Sequence, residues 1–450
     1  MGLDLATLRA EIDAGFVDTV IVAMTDMQGR LQGKRLHGRY FLDQVARHGT
    51  EGCSYLLAVD VDMNTVDGYN MASWHSGYGD FVMQPDFGSL RRVPWHPGTA
   101  MVQADVHWED GTEVVASPRQ VLKAQLQRLA DAGLQAFTGT ELEFIVFADT
   151  YEQAWRSGYR DLTPANQYNV DYSILGTSRV EPLLRRIRLA MADADMYVES
   201  VKGECNYGQH EIVFRYTDAL RACDDHVVYK NGAKEIASQE GMAVTYMAKY
   251  DQREGNSCHI HLSLRGTDGS LVLADDRDPE GLSEMGRAFI AGQLAHMRDF
   301  SLLFAPNINS YKRFVPGSFA PTAIRWGRDN RTCALRLVGH GESLRLENRA
   351  PGGDVNPYLA VAAMIAAGLD GIDRNLHLEP ALSGNAYQVQ TDRLPDNLTT
   401  ALDLWQRSEF AVKAFGEDVH QHYANMAKIE LQAFGEAVTD WERFRGFERL

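Results

Sequence analysis

The chain has 450 residues, and its 44 Lys+Arg against 61 Asp+Glu give a formal net charge of −17. Hydrophobic residues make up 45% and charged residues 23%, which is typical of a globular protein with two or three domains. The acidic balance excludes broad electrostatic binding of nucleic acid or of an anionic membrane, so any phosphate ligand would need local arginine, lysine or metal.

Targeting and redox signals predict a cytoplasmic protein. Residues 1–5 contain neither the basic segment nor the apolar segment of a signal peptide. No apolar run approaches the roughly 18 residues that span a bilayer. The five cysteines are scattered and form no Cys-x-x-Cys pair, which favours a reducing compartment.

The first third of the chain predicts strands followed by a long loop. Residues 16–24 form an apolar, β-branched run, residues 25–29 a turn, and a second strand or loop follows at 31–34. Residues 60–100 are rich in Gly, Asp, Asn, Trp and Pro, and so long a loop indicates function or contact with another subunit. Ser117 as N-cap and Pro118 predict a helix that ends at Gly133, and we place a domain boundary at about 110.

Beyond that boundary, strand-like and helix-like segments alternate. Strands are predicted at 139–147, 196–204, 210–216, 243–250, 257–264, 333–338 and 343–350. Helices are predicted at 179–195, 216–240, 281–302, 356–374 and 397–436. This α+β pattern predicts one large, mostly antiparallel sheet or partial barrel.

Three of the predicted strands carry polar, mostly charged side chains on one face. Successive side chains of a strand point to opposite faces, so residues two apart share a face. The sets with this spacing are Glu141 and Glu143; His259, His261 and Ser263; and Arg345, Glu347 and Arg349. A solvated sheet face is the simpler interpretation for any one strand, whereas three together indicate a site.

The acidic residues point to a pair of metal ions. Glu204 and Glu211, in a hairpin-like segment, join Glu141, Glu143 and Glu347 to make five carboxylates. Without counter-ions such a cluster would raise the pKa of its members, whereas two divalent cations would supply four positive charges. Mg²⁺ and Mn²⁺ favour carboxylate oxygens, and a histidine fits Mn²⁺ readily. We therefore predict a binuclear Mg²⁺ or Mn²⁺ site.

Basic residues are concentrated between residues 309 and 349. They include Lys312, Arg313, Arg328, Arg331, Arg336, Arg345 and Arg349. Arginine can bind a carboxylate or a phosphate through two parallel hydrogen bonds. For any one of these residues taken alone, a position on the protein surface without a role in binding is the alternative interpretation. Beside a metal face, together they predict metal-assisted phosphoryl transfer between a polyphosphate and a carboxylate substrate.

The motifs along nearly the whole chain resemble those of the glutamine synthetase family. They lie at 25–29, 33–35, 139–144, 204–211, 255–263, 309–321, 330–331, 345–351 and 356–358, in the order of the family. The resemblance implies a β-grasp N-terminal domain over 1–110 and a catalytic domain over 111–450, with a large curved sheet and helices. It also implies a homo-oligomer of hexameric rings or a dodecamer, with sites between neighbouring subunits.

The resemblance also assigns roles to individual residues. One metal would be held by Glu143, Glu204 and Glu211, and the other by Glu141, His259 and Glu347. ATP would contact Glu199, His261, Ser263 and Arg336, and glutamate with the transferred phosphoryl group would contact Gly255, Arg313, Arg331 and Arg349. The implied reaction is phosphorylation of the γ-carboxylate of L-glutamate by ATP and then attack by an amine. Arg313, Arg331 and Asp67 would act in catalysis.

Departures from the family pattern point to the nucleophile. The flap motif Pro-Gly-Tyr-Glu-Ala-Pro stands at residues 316–321 with its glutamate replaced by Phe319. Asp67 corresponds to the aspartate on the ammonium side, although the residues that follow it differ. Tyr387 falls near a tyrosine that is adenylylated in some relatives, within a different flanking sequence. An aromatic flap suits a small alkyl amine, and the chain is most similar to the branch that makes γ-glutamylethanolamide.

Other functions stay open at this point. A γ-glutamylpolyamine synthetase and an ordinary glutamine synthetase that uses ammonium differ from the leading hypothesis only in the nucleophile. A non-catalytic scaffold or sensor of the same fold is another alternative, although the retained metal ligands speak against it. A metal hydrolase is the weakest alternative.

Overall fold

The computed structural model describes residues 2–450 of the chain. Two separate sheets, with helices around them, confirm the predicted α+β class. Among the helices described, none is both long enough and apolar enough to cross a membrane.

The first sheet belongs to the N-terminal part of the chain. Its strands are β1 (Thr19–Thr25), β2 (Leu31–His37), β3 (Thr50–Cys53), β4 (Asp80–Pro85), β5 (Arg91–Arg92) and β6 (Thr99–His107). Their order is β2-β1-β6-β4-β3, with β5 also paired to β6. β1 runs parallel to β6 and antiparallel to β2, so the sheet is mixed, as in the predicted β-grasp domain. The strands predicted near residues 16–34 are thereby confirmed.

The loop predicted over residues 60–100 is shorter than expected. β4 begins at Asp80 and β6 at Thr99, so the second half of this range belongs to the sheet. The buried residues of β4 alternate along the strand, with Phe81, Met83 and Pro85 on the buried face. The glycines and prolines nearby hid this short alternation, which is why composition was a poor guide to the strand.

The second sheet extends through the rest of the chain. Its strands are β7 (Leu134–Phe147), β8 (Val198–Gly203), β9 (Gln209–Phe214), β10 (Thr217–Asp218), β11 (Ala243–Thr245), β12 (Cys258–Gly266), β13 (Trp326–Arg328), β14 (Leu335–Val338) and β15 (Arg345–Asn348). Their order is β13-β14-β15-β12-β7-β9-β8, and β10 and β11 also pair with β7. In this second sheet, only the β13–β14 pair is parallel among the described strands, which confirms the mostly antiparallel sheet. The strand predicted over 243–250 is wrong beyond Thr245.

The longer helices lie where apolar periodicity predicts them. The α-helices are α1 (Leu5–Asp13), α2 (Gly38–Tyr40), α3 (Ala46–His48), α4 (Pro118–Asp131), α5 (Tyr151–Arg156), α6 (Ile174–Ser178), α7 (Glu181–Asp193), α8 (Ala219–Gln239), α9 (Glu284–His296), α10 (Ser301–Phe304), α11 (Pro357–Asp373), α12 (Leu398–Arg407), α13 (Glu409–Phe415), α14 (Glu417–Glu436) and α15 (Asp440–Gly446). α11 is buried along most of its length and packs against α4 and α9.

Two local predictions about helices need correction. The single run predicted over 397–436 is three helices, because the chain is extended at Ser408 and has a φ of 82° at Gly416. The Ser408 hydroxyl accepts a hydrogen bond from the Ala411 N–H and so caps the second of them. Ser117 is extended at the start of α4, as expected of an N-cap, but its side chain makes no capping hydrogen bond.

A buried arginine joins the two parts of the chain. β6 ends at His107 and α4 begins at Pro118, so the boundary predicted at about 110 falls in the loop between them and stays a prediction. Arg119 donates hydrogen bonds to Asp86 at 2.6 Å, Asp105 at 2.5 Å and Asp224 at 3.0 Å. The buried apolar side chains of both parts form one continuous cluster. The two parts therefore share a core and a charged junction.

Candidate active site

Strand register in the second sheet brings the predicted metal ligands side by side. Directly opposed residues of antiparallel strands have Cβ atoms about 5 Å apart, close enough for their side chains to meet. The opposed pairs are His259 with Glu141, Glu143 with Glu211, and His261 with Glu347. Four strands, β15, β12, β7 and β9, are consecutive in the sheet, so these pairs form one row across it.

Glu143, Glu204 and Glu211 form the first acidic group, with one carboxylate oxygen of each within 4.8 Å of the others. Burial and the charge of Glu204 raise the pKa of Glu143 to about 8. Burial also raises the pKa of Glu211 well above its usual value. Lys202 pairs with Glu204, and its Nζ lies 3.7 Å from Glu211 Oε1. One ammonium group does not balance three enclosed carboxylates, so the group fits a divalent cation.

Glu141, His261 and Glu347 form the second acidic group, again with atoms within 4.8 Å of one another. His259, which the sequence predicted here, lies beside them: its Nδ1 is 3.3 Å from Glu141 Oε2 and 3.6 Å from Glu347 Oε1. Burial and then the charge of Arg349 lower the pKa of His259 to about 4, so its ring is neutral near pH 7. Its Nε2 is buried without a hydrogen-bond partner in residues 2–450. The ring nitrogen that faces both carboxylates is Nδ1, and in a neutral imidazole this atom can bind a metal ion that Glu141 and Glu347 share.

Two arginines border the carboxylate of Glu347, which has no exposed surface. Arg336 Nη1 donates to Glu347 Oε2 at 2.7 Å, and Arg349 Nη1 donates to Oε1. Burial raises the pKa of Glu347, but His259 and Arg349 lower it on balance, so the carboxylate stays ionised. Arg349 Nη2 also donates to the carbonyl of Phe319 at 3.4 Å. Arg349 thus connects the second acidic group to the flap.

The Arg313 guanidinium binds backbone carbonyl oxygens of its own chain. It is 2% exposed, and its Nη2 donates to the carbonyl oxygens of Arg349 at 3.1 Å and Pro351 at 3.0 Å, and also to that of Ala350. Burial lowers its pKa to about 10, which still leaves the guanidinium charged near pH 7. Its contacts hold the segment 349–351 in place behind the acidic groups. The direct substrate contact predicted for Arg313 stays a prediction.

Two predicted catalytic residues are exposed to solvent. Arg331 is exposed in the turn before β14. Asp67 is exposed as well, and its carbonyl accepts a hydrogen bond from Asn425 Nδ2 of α14 at 3.0 Å. Within the described part of the chain, no ion pair or hydrogen bond joins either side chain to the acidic groups. Their catalytic roles stay predictions.

A cleft of about 430 Å³ opens beside the second acidic group. Three of the four residues predicted to contact ATP line it, namely Glu199, His261 and Ser263. Arg336 lies next to the cleft through its hydrogen bond to Glu347. Sequence reasoning missed the aromatic wall of Phe137 and Tyr216, whose rings pack edge to face at 6.3 Å. Phe137 lies in β7 on the face of Glu141 and Glu143, where the period-two pattern would have drawn attention to it, whereas Tyr216 lies in the short link between β9 and β10, which that pattern does not reach.

The flap carries an exposed aromatic side chain on a strained backbone. Phe319 is 56% exposed and has a φ of 58°, a conformation that side chains other than glycine rarely adopt. Tyr387 donates its hydroxyl hydrogen to the carbonyl of Ala320 at 2.9 Å, so this hydroxyl helps to anchor the flap. Beneath the flap lies a cavity of about 640 Å³ between residues 247–254 and 309–318.

Gly255 closes one side of the same region and needs to be glycine. A Cβ at this position would lie 2.1 Å from the carbonyl oxygen of Ala248. Gln209 Nε2 donates to the Gly255 carbonyl at 3.0 Å and to Glu143 Oε2 at 2.9 Å. Sequence reasoning did not single out Gln209, although it lies inside the hairpin motif between Glu204 and Glu211. It links the Gly255 loop to the first acidic group.

Comparison with known proteins gives the family. Residues 115–445 match the model for the glutamine synthetase catalytic domain. The chain is 63% identical over 448 residues to the γ-glutamylethanolamide synthetase GlnA4 of Streptomyces coelicolor, covering 100% of this chain and 96% of that protein. It is 36% identical to a glutamate–isopropylamine ligase of a Pseudomonas species, covering 97% and 96%.

A solved structure extends the similarity to the fold. A GmaS–ADP complex superposes with a TM-score of 0.86 and 28% identity, covering 98% of this chain and 99% of the other. The structure without ligand gives a TM-score of 0.85 over 99% of both chains. With the catalytic-domain match and full-length relatives above 30% identity, the chain belongs to the glutamine synthetase family.

Proposed function

We propose that this protein is an ATP-dependent ligase that joins the γ-carboxylate of L-glutamate to ethanolamine through a γ-glutamyl phosphate intermediate. The observation that carries the proposal is 63% identity over the whole chain to a γ-glutamylethanolamide synthetase. The two acidic groups, with a cleft on one side and the flap on the other, support it. The cleft, which Glu141 and His261 help to line, leaves room for a nucleotide beside the second acidic group.

The polar side chains divide between the two substrates in this proposal. ATP binds in the cleft against Glu199, His261 and Ser263, and Arg336 faces its phosphates. Glutamate binds at Gly255, Arg331 and Arg349, on the segment that Arg313 holds in place. The guanidinium groups orient the γ-carboxylate and stabilise the charge of the transferred phosphoryl group.

Divalent cations, two per site, complete the proposal, and either Mg²⁺ or Mn²⁺ fits the donors. Glu143, Glu204 and Glu211 would hold one, and Glu141, His259 and Glu347 the other. When bound, the cations neutralise phosphate charge and polarise the phosphoryl group. The His259 Nδ1 that faces Glu141 and Glu347, and the excess of carboxylates, support this set. A donor set of oxygens with a single imidazole nitrogen favours hard cations over thiol-binding ones.

We also propose a cytoplasmic homo-oligomer of hexameric rings in which a neighbouring subunit supplies Asp67. Within residues 2–450, no hydrogen bond or ion pair joins the Asp67 side chain to the acidic groups of its own chain, which supports this, as do the exposed aromatics Trp441 and Phe444 of α15, at 68% and 75%. The free cysteines are compatible with a reducing cytoplasm. Light scattering of the purified chain should give the mass of a hexamer or dodecamer. A monomer that is fully active would contradict the shared site.

The amine is tested by phosphate release from ATP with glutamate, Mg²⁺ and a panel of nucleophiles. We expect a strong signal with ethanolamine, weaker signals with methylamine, putrescine and spermine, and almost none with ammonium. Preference for putrescine or spermine would indicate a polyamine ligase, and preference for ammonium an ordinary glutamine synthetase. No signal with any amine would revive the non-catalytic scaffold.

Replacement of Phe319 by glutamate should move this preference toward ammonium. A carboxylate on the flap would attract a small cation and remove the apolar surface that suits an alkyl amine. We expect the ammonium-to-ethanolamine ratio of kcat/KM to rise at least tenfold, about 1.4 kcal/mol. Phe434→Glu, at an exposed phenylalanine of α14, is the matched control and should leave the ratio unchanged. If F319E keeps the parent ratio, residues other than Phe319 determine the choice between ammonium and ethanolamine.

A further inference from the structure

The flap is held by few hydrogen bonds to the rest of the protein, and its residues 316–319 lie at the surface. Within residues 2–450, only two side chains donate hydrogen bonds to the carbonyl oxygens of the flap. Arg349 Nη2 donates to the Phe319 carbonyl at 3.4 Å. The Tyr387 hydroxyl donates to the Ala320 carbonyl at 2.9 Å. These two bonds are the main polar attachments of the flap.

The two donors differ in what else they bind. Arg349 also donates to Glu347 of the second acidic group, and in the proposed function it binds glutamate. Its guanidinium is therefore shared between the flap, a candidate metal ligand and a substrate. Within the described part of the chain, the Tyr387 hydroxyl makes only its bond to Ala320. That bond is the attachment that does not compete with substrate binding.

Tyr387 lies on a backbone that is itself fixed. Asn385 Oδ1 accepts from the Tyr387 N–H at 3.0 Å, and Arg393 Nη2 donates to the Tyr387 carbonyl at 3.1 Å. Arg393 Nη1 also donates to Thr322 Oγ1 at 2.9 Å, just after the flap. Burial raises the pKa of the Tyr387 hydroxyl, so near pH 7 it keeps the proton that it donates. The hydroxyl is thus a donor in a fixed position.

The flap needs an attachment because its backbone is strained. Phe319 has a φ of 58°, and a residue with a Cβ stays in this conformation only when its surroundings hold it there. The bonds from Arg349 and Tyr387 act on the carbonyls of this residue and the next. Without the tyrosine hydroxyl, we expect the strain to relax and the flap to open more often.

The position of the flap matters because the proposed intermediate is reactive. γ-Glutamyl phosphate is a mixed anhydride that water can attack, so a site that forms it must keep water out until the amine arrives. One guanidinium, that of Arg349, binds both the Phe319 carbonyl and Glu347. The flap therefore borders the second acidic group, and an open flap would admit solvent there.

We propose that Tyr387 is a positioning residue that holds the flap closed and so directs γ-glutamyl phosphate to the amine rather than to water. This inference rests on the proposed function. When the bond to Ala320 is absent, water attacks the γ-carbonyl carbon, and the C–O bond to phosphate breaks. Glutamate, hydrogenphosphate and one proton leave, so ATP is consumed without formation of an amide.

The experiment compares phosphate release with amide formation in Tyr387→Phe, with ATP, glutamate, Mg²⁺ and ethanolamine present. We expect the excess of phosphate over γ-glutamylethanolamide to rise about 2- to 10-fold, the change in an equilibrium when one neutral hydrogen bond is lost. The excess should fall as ethanolamine is raised, because amine and water compete for one intermediate. In water enriched in heavy oxygen, the extra turnover should label the γ-carboxylate of glutamate.

Tyr423→Phe is the matched control. The Tyr423 hydroxyl in α14 also donates to a backbone carbonyl, that of Ala116 at 2.8 Å, and within residues 2–450 it makes no hydrogen bond to the flap. We expect Y423F to keep the parent ratio of phosphate to amide. Amide formation by Y387F at high ethanolamine would show that this variant is folded.

Three results would overturn the inference. Equal loss of phosphate and amide in Y387F, with the ratio unchanged, would show that Tyr387 has only a structural role. Label in phosphate and none in glutamate would show that water attacks ATP and not the intermediate. The same excess in Y423F would show that the leak does not depend on the flap. If the parent enzyme formed no amide with any amine, the proposed function would fail instead.

Discussion

Replacement of Glu143 by alanine should lower phosphate release by at least about 10³-fold, because we propose that Glu143 holds a divalent cation, and a cation that polarises the phosphoryl oxygen contributes several kcal/mol to transition-state stabilisation. Glu143 is one of three carboxylates of the first acidic group, and Glu211 lies opposite it in the sheet. Without its charge the group loses a ligand and part of its attraction for a divalent cation. Gln209 also loses the acceptor at 2.9 Å that links it to the Gly255 loop.

Metal binding distinguishes loss of a ligand from general damage. Calorimetric titration with Mn²⁺ should show weaker binding, or fewer ions per chain, for Glu143→Ala. Because the pKa of Glu143 is raised to about 8, the parent should also release a proton when the ion binds near pH 7, and the variant should release less. Glu109→Ala, at an exposed glutamate in the loop after β6, should match the parent in both assays. Parent-like Mn²⁺ binding by E143A would contradict the ligand assignment.

Replacement of Arg119 by methionine should lower the free energy of unfolding by about 3–5 kcal/mol, the cost of removing one partner from a buried ion pair. Arg119 is 2% exposed and lies among Asp86, Asp105 and Asp224. Methionine fills much of the same volume but leaves these carboxylates close together. Lys123 still pairs with Asp105 at 2.5 Å and limits the damage there.

Urea denaturation followed by tryptophan fluorescence measures this loss. Because Arg119 joins the N-terminal sheet to α8, we expect the whole transition to move to lower urea, with both parts of the chain unfolding together. Arg9→Met, at an exposed arginine of α1, should leave the midpoint unchanged. A midpoint of R119M equal to that of R9M would show that the junction adds little to stability.

The candidate metal ligands could be predicted because a strand alternates its side chains. Glu141 and Glu143, and likewise His259 and His261, are two residues apart, so local geometry alone places each pair on one face. The limits of the long helices were similarly predictable from apolar periodicity. Helix breaks at Ser408 and Gly416 were missed, since the periodicity continues through them in α12 to α14.

Other features depend on pairs of residues far apart in the chain. The register of β12 against β7 and β15 decides which histidine lies opposite which glutamate. The sequence of any one of these three strands does not specify that register. The role of Arg313 as a clamp on residues 349–351 also required the folded loop. Alternation predicts which face a side chain occupies, whereas the pairing partner depends on all the elements that pack on the sheet.

By itself, the sequence determined the family, the glutamates and histidines on the strands that are candidate metal ligands, and the replacement of the flap glutamate by Phe319. Each of these features belongs to a short stretch of sequence. Only the tertiary structure decided that a tyrosine hydroxyl binds the flap and that Arg349 joins the flap to the charge of Glu347. It likewise decided that the backbone carbonyl of Asp67 binds Asn425 of α14. The physical reason is that the free energy of a charge depends on the partners and the solvent around it, and those neighbours come from distant parts of the chain.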